Sequence, residues 1–305
     1  MKVLLATDKP FAPQAVAEIK KIVEEGGNEF MKLEKYTDKS QLLDAVKDAN
    51  AIIIRSDIID AEVMNAAKDL KIVVRAGAGY DNVDLATATE KGIVVMNTPG
   101  QNSNAVAELV FGMLVYLNRN QYNGTSGTEL KGKKLGLLAF GNVSRNVLRV
   151  AKGFDMDVYA YDNFVKKEDM EAAGVYHVSS PAELFKTCDV VSVHIPKTPE
   201  TVKSINEELI MSMPKNGFLI NTARKEVIDE QGVYNALKNR ADLHYATDIL
   251  PDNDAAMKEF GVRYFATPKK MGAQTSEANV NAGLAAANQI NDFFATGNEK
   301  FRVNK

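Results

Sequence analysis

Residues Phe265 to Thr275 read FATPKKMGAQT. An apolar lead-in runs into Thr267-Pro268, then two adjacent lysines, Lys269 and Lys270, then Gly272 in a small polar loop. Charges set directly after a buried strand either face solvent or take part in chemistry, and these residues alone leave both open. A second stretch is more explicit. After the strand-like KLGLLAF the chain reads Ala139-Phe140-Gly141-Asn142-Val143-Ser144, turns helical through RNVLRVAKGF, and enters DVYAYD, which ends in Asp162. A strand, a glycine turn, a helix and a second strand, with an acid about 20 residues past the turn, make up a dinucleotide-binding βαβ unit. Of the glycines such a turn carries, only Gly141 is present; Ala139 and Ser144 are small enough for the outer places. A carboxylate at Asp162 accepts both ribose hydroxyls of adenosine and repels a 2′-phosphate, so the expected cofactor is NAD rather than NADP. Lys166 and Lys167, which follow, read as a solvated helix start.

These groups need strands to hold them. β-Branched runs recur at 2–8, 51–56, 71–77 and 92–97, then at 134–140, 157–162, 189–196, 217–223 and 263–268, separated by helix-like stretches. Continuous apolar strands alternating with helices indicate parallel sheets covered on both faces, so the fold class is α/β. There are two series of units. The segment 97–120 divides them, with Pro-Gly turn chemistry and then a helix from about Ser103 to 119. That helix is apolar nearly all round, which predicts burial between domains or in a subunit interface. A second helix, about 277–295, is rich in small residues and closes the chain.

Composition sets the outer bounds. The 305 residues are 45% apolar and 25% charged, ordinary for a globular protein of two domains. A net charge of −3 gives no long-range pull towards nucleic acid or anionic lipid. The single cysteine, Cys188, excludes an internal disulfide and reads as a buried structural thiol. No apolar run approaches the roughly 20 residues of a membrane span, and a metal site is not expected. The chain opens on a strand-like MKVLLATD rather than a leader, so a cytosolic protein is expected.

Six stretches, in this order, resemble the D-2-hydroxyacid dehydrogenases, and within them the D-3-phosphoglycerate dehydrogenase branch: VVRAGAGYDNVD, KGIVVMNTPGQNSNAVAEL, LKGKKLGLLAFGNV, VSVHIPKTPET, LINTARKEVIDE and GAQT. The resemblance covers nearly the whole chain. It implies a flavodoxin-like substrate domain built from 1–99 and 277–305, and a Rossmann nucleotide domain inserted at 100–276. It further implies a homodimer through the nucleotide domain, and a short form without C-terminal regulatory domains. For the cofactor it implies backbone contacts from Gly141, Asn142 and Val143, the ribose acid Asp162, and His194 with Pro196 on the adenosine side. Thr222-Ala223 and Gly272 are implied near the nicotinamide, with Asp248 facing its carboxamide. Arg224 matches the arginine that grips the substrate carboxylate and polarises the carbonyl. Arg55-Ser56 and Arg75-Ala76-Gly77 end successive strands, where an open α/β sheet binds ligands. With Asn102 at the hinge, they suit a substrate carrying carboxylate and phosphate.

Two departures from the pattern are plain. The usual histidine after the last strand is absent: counting back from Gly272 puts Lys270 in its place, counting forward from Pro268 puts Lys269, and Lys270 is the preferred reading. The partner glutamate is absent too, with Asn253 at the matching spacing and Asp252 and Asp254 beside it. His177, His194 and His244 match no catalytic position. A lysine base must be pushed down from about 10.4 by burial and positive charge, and a neighbouring carboxylate would work against this. The resemblance thus implies NAD-dependent oxidation of D-3-phosphoglycerate, the first step towards serine, with a lysine as acid–base. The alternatives are a dehydrogenase of another D-2-hydroxy acid, such as glycerate or a sugar acid, and a non-catalytic NAD-sensing interaction protein.

Overall fold

The structure is a computed structural model that describes residues 1–304; Lys305, the last residue of the expected first domain, lies outside the described residues. The chain forms two compact units, Met1–Asn102 together with the segment from Thr275 onward, and Ser103–Gln274.

In the first unit the strands are β1 (Lys2–Thr7), β2 (Glu29–Glu34), β3 (Ala51–Ile54), β4 (Ile72–Arg75) and β5 (Val94–Asn97). They pair in parallel in the order β2-β1-β3-β4-β5, the flavodoxin-like doubly wound arrangement. Ala51–Ile54 is buried along its whole length because helices cover both faces. The helix Ser276–Thr296 belongs to this unit: its Ala282, Ala286 and Ile290 share a core with Val3, Leu5 and Ile19.

The second unit holds β6 (Lys134–Leu138), β7 (Asp157–Tyr161), β8 (Tyr176–His177), β9 (Val190–Val193), β10 (Phe218–Asn221), β11 (His244–Thr247) and β12 (Tyr264–Ala266). Its sheet order is β12-β11-β10-β9-β6-β7-β8, the Rossmann order with one strand added. The order reverses between β6 and β9, and the carboxyl ends of those strands are where such a sheet takes a dinucleotide. The greasy helix is Ser103–Asn118. Its Val110, Phe111, Leu114 and Leu117 pack in the unit's own core with Leu135, Leu137 and Ile220, so its composition needs no second subunit to account for it. Cys188 is buried, and burial pushes its thiol up to about 12.

Three strands fall outside the runs expected from sequence. β2 is an edge strand, partly exposed along its length and interrupted by charge; β8 has two residues; β11 opens on a histidine and is four residues long.

Candidate active site

Several helices start at a side chain that accepts a first-turn N–H: Asp60 from Val63 (3.1 Å), Asp84 from Thr87 (3.1 Å), Thr275 from Ala278 (3.1 Å). The 12-residue helix Asn142–Gly153 differs. Gly141 is its N-cap, and no side chain caps it. A Cβ built on Gly141 would meet nothing within 4 Å. First-turn N–H groups without a side-chain acceptor, at the positive end of a helix dipole and beside a glycine open to approach, fit a pyrophosphate. Ala139 lies in the left-handed region at φ 79°, so its place in the turn asks for glycine's backbone and not only for a small side chain. Ser144 Oγ donates to Ala139 O at 2.7 Å and holds this bend.

Asp162, one residue past β7, is tied to the same turn. Its Oδ2 accepts from Phe140 N at 2.7 Å, and its Oδ1 from Phe164 N at 2.7 Å and Val165 N at 3.0 Å. Across the switch point, His194 N donates to Leu138 O at 2.9 Å and the ring Nε2 lies 2.9 Å from Ser192 Oγ. Burial lowers this imidazole to about 3, so it is neutral near pH 7. Pro196 is exposed, and its carbonyl accepts from Thr201 Oγ1 at 2.7 Å. Gly141, Asn142, Val143, Asp162 and His194 thus gather at the carboxyl end of the sheet, and their donors and acceptors fit NAD.

A second group lies at the carboxyl ends of β10, β11 and β12. Thr222 and Ala223 are buried, and Ala223 N donates to Asn221 Oδ1 at 2.9 Å. Arg224 is half-buried, and its Nη1 donates to Ala223 O at 3.0 Å. Asp248 is wholly buried. Lys270 Nζ donates to Ala223 O at 2.9 Å and Thr222 O at 3.3 Å, and lies 3.3 Å from Asp248 Oδ1. The other carboxylate oxygen of Asp248 accepts from Gly272 N at 2.8 Å. Gly272 is required there: a Cβ would lie 2.6 Å from Asp248 Oδ2 and 3.2 Å from Val106 Cγ2. The Lys269 side chain is exposed, and only its carbonyl is engaged, by Thr267 Oγ1 at 2.7 Å.

Two expectations about this loop change. A carboxylate does stand beside Lys270, contrary to the reasoning that a lysine base would avoid one. The pKa is still lowered, because desolvation outweighs the pull of Asp248, with Arg224 adding to it. The side chain keeps 45% of its surface open, so the ammonium is crowded by protein rather than sealed from water. The segment at the glutamate's spacing faces elsewhere: Asn253 Nδ2 donates to Glu230 O at 3.1 Å, Asp252 pairs with Lys225 at 2.6 Å, and Asp254 with Lys258 at 2.6 Å.

In the first unit, Arg55 and Arg75 follow one another across β3 and β4. Arg55 Nη1 donates to Lys9 O (3.0 Å) and Pro10 O (3.3 Å), Nη2 to Asn279 Oδ1 (2.6 Å), and its guanidinium lies 5.0 Å from the Phe11 ring centroid. Arg75 Nε donates to Arg55 O at 3.0 Å. Gly77 takes φ 150°, which an L side chain rarely adopts, and a Cβ there would meet the tip of Arg75. Ser56 is exposed and Asn102 half-buried. Asp57 was not anticipated. Buried, it accepts from Asp8 N (2.7 Å), Tyr36 Oη (2.7 Å) and Arg55 N (3.1 Å), and so fixes the backbone from which Arg55 extends. Its sequence signal was an acid three residues past a strand end. A cavity of about 370 Å³ opens beside it, lined by Asp8, Tyr36, Asp38, Asp57 and Asp60 with Lys39, an acidic surround unsuited to phosphate. Among the described residues no helix is long and apolar enough to cross a membrane, and no metal-binding cluster is present.

Comparison with known proteins matches residues 107–267 to the family model for the D-isomer specific 2-hydroxyacid dehydrogenase, NAD binding domain. D-3-phosphoglycerate dehydrogenase of Methanocaldococcus jannaschii is 36% identical over 304 residues, covering 94% of this chain and 56% of that protein. The chain thus spans about half the length of that curated relative. Hydroxypyruvate reductase of Thermotoga maritima is 32% identical over 274 residues, covering 84% of this chain and 88% of the reductase. Among solved structures, the NAD+-bound 3-phosphoglycerate dehydrogenase of Entamoeba histolytica superposes with a TM-score of 0.91 at 46% identity, covering 100% of this chain and 99% of that one.

Proposed function

Since the chain belongs to the D-isomer specific 2-hydroxyacid dehydrogenase family, we propose that it oxidises D-3-phosphoglycerate to 3-phosphohydroxypyruvate with NAD, Lys270 standing in for the usual histidine. NAD is the cofactor; when bound it supplies the hydride acceptor. Gly141, Asn142 and Val143 bind its pyrophosphate through the uncapped helix start, and Asp162 takes the adenosine ribose. His194 and Pro196 border the adenosine; Thr222, Ala223, Asp248 and Gly272 border the nicotinamide. Arg224 binds the substrate carboxylate as a planar fork, orients the carbon to be oxidised and polarises its oxygen. Lys270, in its neutral form, takes the hydroxyl proton at Nζ as the C–H hydride leaves; in the reverse direction the ammonium returns it. Arg75 and Arg55, with Ser56, Gly77 and Asn102, recognise the substrate's remaining anionic groups.

The observation that carries this reading is the setting of Lys270 Nζ, drawn in over Thr222 O and Ala223 O beside Asp248, while Lys269 faces solvent. Lys270→Ala and Lys269→Ala, assayed separately for NADH formation, test it. The first should abolish hydride transfer while NAD still binds, and the second should leave kcat near normal. Near-normal kcat in both variants would mean that the proton goes elsewhere.

A second substrate reading is a dehydrogenase of glycerate or a related 2-hydroxy acid. It is favoured by the hydroxypyruvate reductase that this chain matches over most of that protein's length, and by Arg55, whose Nη atoms already bond within its own unit. Rates on D-3-phosphoglycerate, D-glycerate and D-lactate separate the two. A homodimer through the second unit and a cytosolic setting belong to the same proposal; a sedimentation mass of one chain would remove the dimer.

A further inference from the structure

The missing glutamate leaves open which group holds the catalytic lysine. Asn253, Asp252 and Asp254 bond to Glu230, Lys225 and Lys258. The carboxylate that reaches the loop comes from the end of β11. Asp248 has no exposed surface, its Oδ1 lies 3.3 Å from Lys270 Nζ, and its Oδ2 accepts from Gly272 N at 2.8 Å.

We infer that Asp248 is the positioning residue of Lys270: it grips the loop on both sides of Met271 and holds the ammonium over the Thr222 and Ala223 carbonyls. This rests on the reading of Lys270 as the proton-transfer group.

The satisfiability of the ammonium carries the argument. Nζ has three N–H donors, and three acceptors surround it: Ala223 O at 2.9 Å, Thr222 O at 3.3 Å and Asp248 Oδ1 at 3.3 Å. A substrate oxygen can exchange a proton with Nζ only if one of these partners is released. Loss of the proton removes the charge attraction to Asp248, so the Asp248 side is the one that gives way. The groups facing Nζ act in opposite senses. Burial and Arg224, after β10, favour the neutral amine; Asp248, after β11, and Glu226, after β10, favour the ammonium. Lys269, on the loop itself, is exposed. Asp248 therefore sets where the lysine changes form as well as where it sits, and a neutral residue at 248 should let the amine appear at lower pH.

The test is Asp248→Asn in the full chain, which keeps an oxygen for the Gly272 N–H and removes the charge. Oxidation is followed at saturating NAD across pH, with substrate deuterated at the reacting carbon so that the profile reports hydride transfer. The limb on which activity rises with pH, as Lys270 loses its proton, should move to lower pH by about one pH unit or more, as expected for loss of an opposite charge within hydrogen-bonding range. Asp248→Ser is the second neutral variant, for the case in which the amide disrupts folding, and should move the limb the same way. A limb that stays in place, moves to higher pH, or vanishes with all hydride transfer overturns the inference. Lys270→Ala separates the two levels. If it retains near-normal kcat, the proton-transfer reading itself fails; if it is inactive while the Asp248→Asn limb is unmoved, only the role given to Asp248 falls.

Discussion

The carboxylate of Asp162 and the amide of Phe140 are joined by a 2.7 Å hydrogen bond, so the acid at the end of β7 fixes the turn at the end of β6. Two further amides, of Phe164 and Val165, donate to the other carboxylate oxygen. The residue expected to choose the cofactor is therefore part of the frame that shapes the glycine turn.

Substitution of Asp162 should accordingly have two separable effects. Asp162→Ala should weaken NAD by about 10- to 150-fold, the range for losing a bond to a charged group, and narrow the gap to NADP. It should also lower the melting temperature of the ligand-free protein, because three backbone donors lose their acceptor. Asp162→Asn, which keeps an oxygen, should lose cofactor discrimination with a smaller drop in melting temperature. Wild-type use of NADP at a rate matching NAD would contradict the role of the charge.

Ala139 offers an independent check on the turn. At φ 79° an alanine carries a left-handed strain that glycine does not. Ala139→Gly should raise stability by roughly 1 kcal/mol, net of glycine's greater freedom when unfolded. Urea denaturation at fixed slope measures it, and a loss of stability would mean that the turn relaxes without strain.

How far such features could be read in advance differs by kind. Strands such as Ala51–Ile54 and Val190–Val193 are buried throughout, so their apolar runs are legible without knowing what covers them. β2, at a sheet edge, carries Glu29, Lys32 and Glu34 among its apolar residues and gives no such run. Asp162 was legible as an acid at a strand end, a local pattern. Its bond to Phe140, the clamp of Asp248 on Lys270 and Gly272, and the support of Arg55 by Asp57 were not. Each depends on which strand ends lie side by side, and strand order is not written in spacing along the chain. The carboxylate next to Lys270 shows the limit: the segment at the expected distance in sequence bonds elsewhere, and the neighbouring strand supplies the acid.

Arg55 and Arg75 should part company when each is replaced. Arg55 bonds to Lys9 O, Pro10 O and Asn279 Oδ1, joining the loop after β1 to the closing helix of its unit. Arg55→Ala should therefore lower the melting temperature of the ligand-free protein as well as kcat/KM. Each alanine variant should cost roughly 10- to 150-fold in kcat/KM with a phosphorylated substrate. If Arg55→Ala lowers stability alone, with kcat/KM intact, the residue is a brace and the anion is read by others.

Two half-buried histidines predict how stability should change with acid. His194 is lowered to about 3 by burial; His244 is lowered to about 4, by burial first and by Arg263 next, in a ring stacked 4.3 Å from Phe218. An unfolded histidine titrates at about 6.5, so between these values the unfolded chain binds protons that the folded one refuses. Stability therefore rises with pH through this window: it is fully present above about 6.5 and falls as the medium is acidified towards 4 and then 3. Asp242, held at about 2 by Arg240, adds its own loss only below the ordinary carboxylate range. Melting temperatures of the ligand-free protein from about pH 7 down to about pH 4 should decline, and a His194→Gln, His244→Gln double variant should flatten that decline. If the double variant melts along a parallel curve, the two rings accept protons without cost in the folded chain and the acid sensitivity lies in the carboxylates.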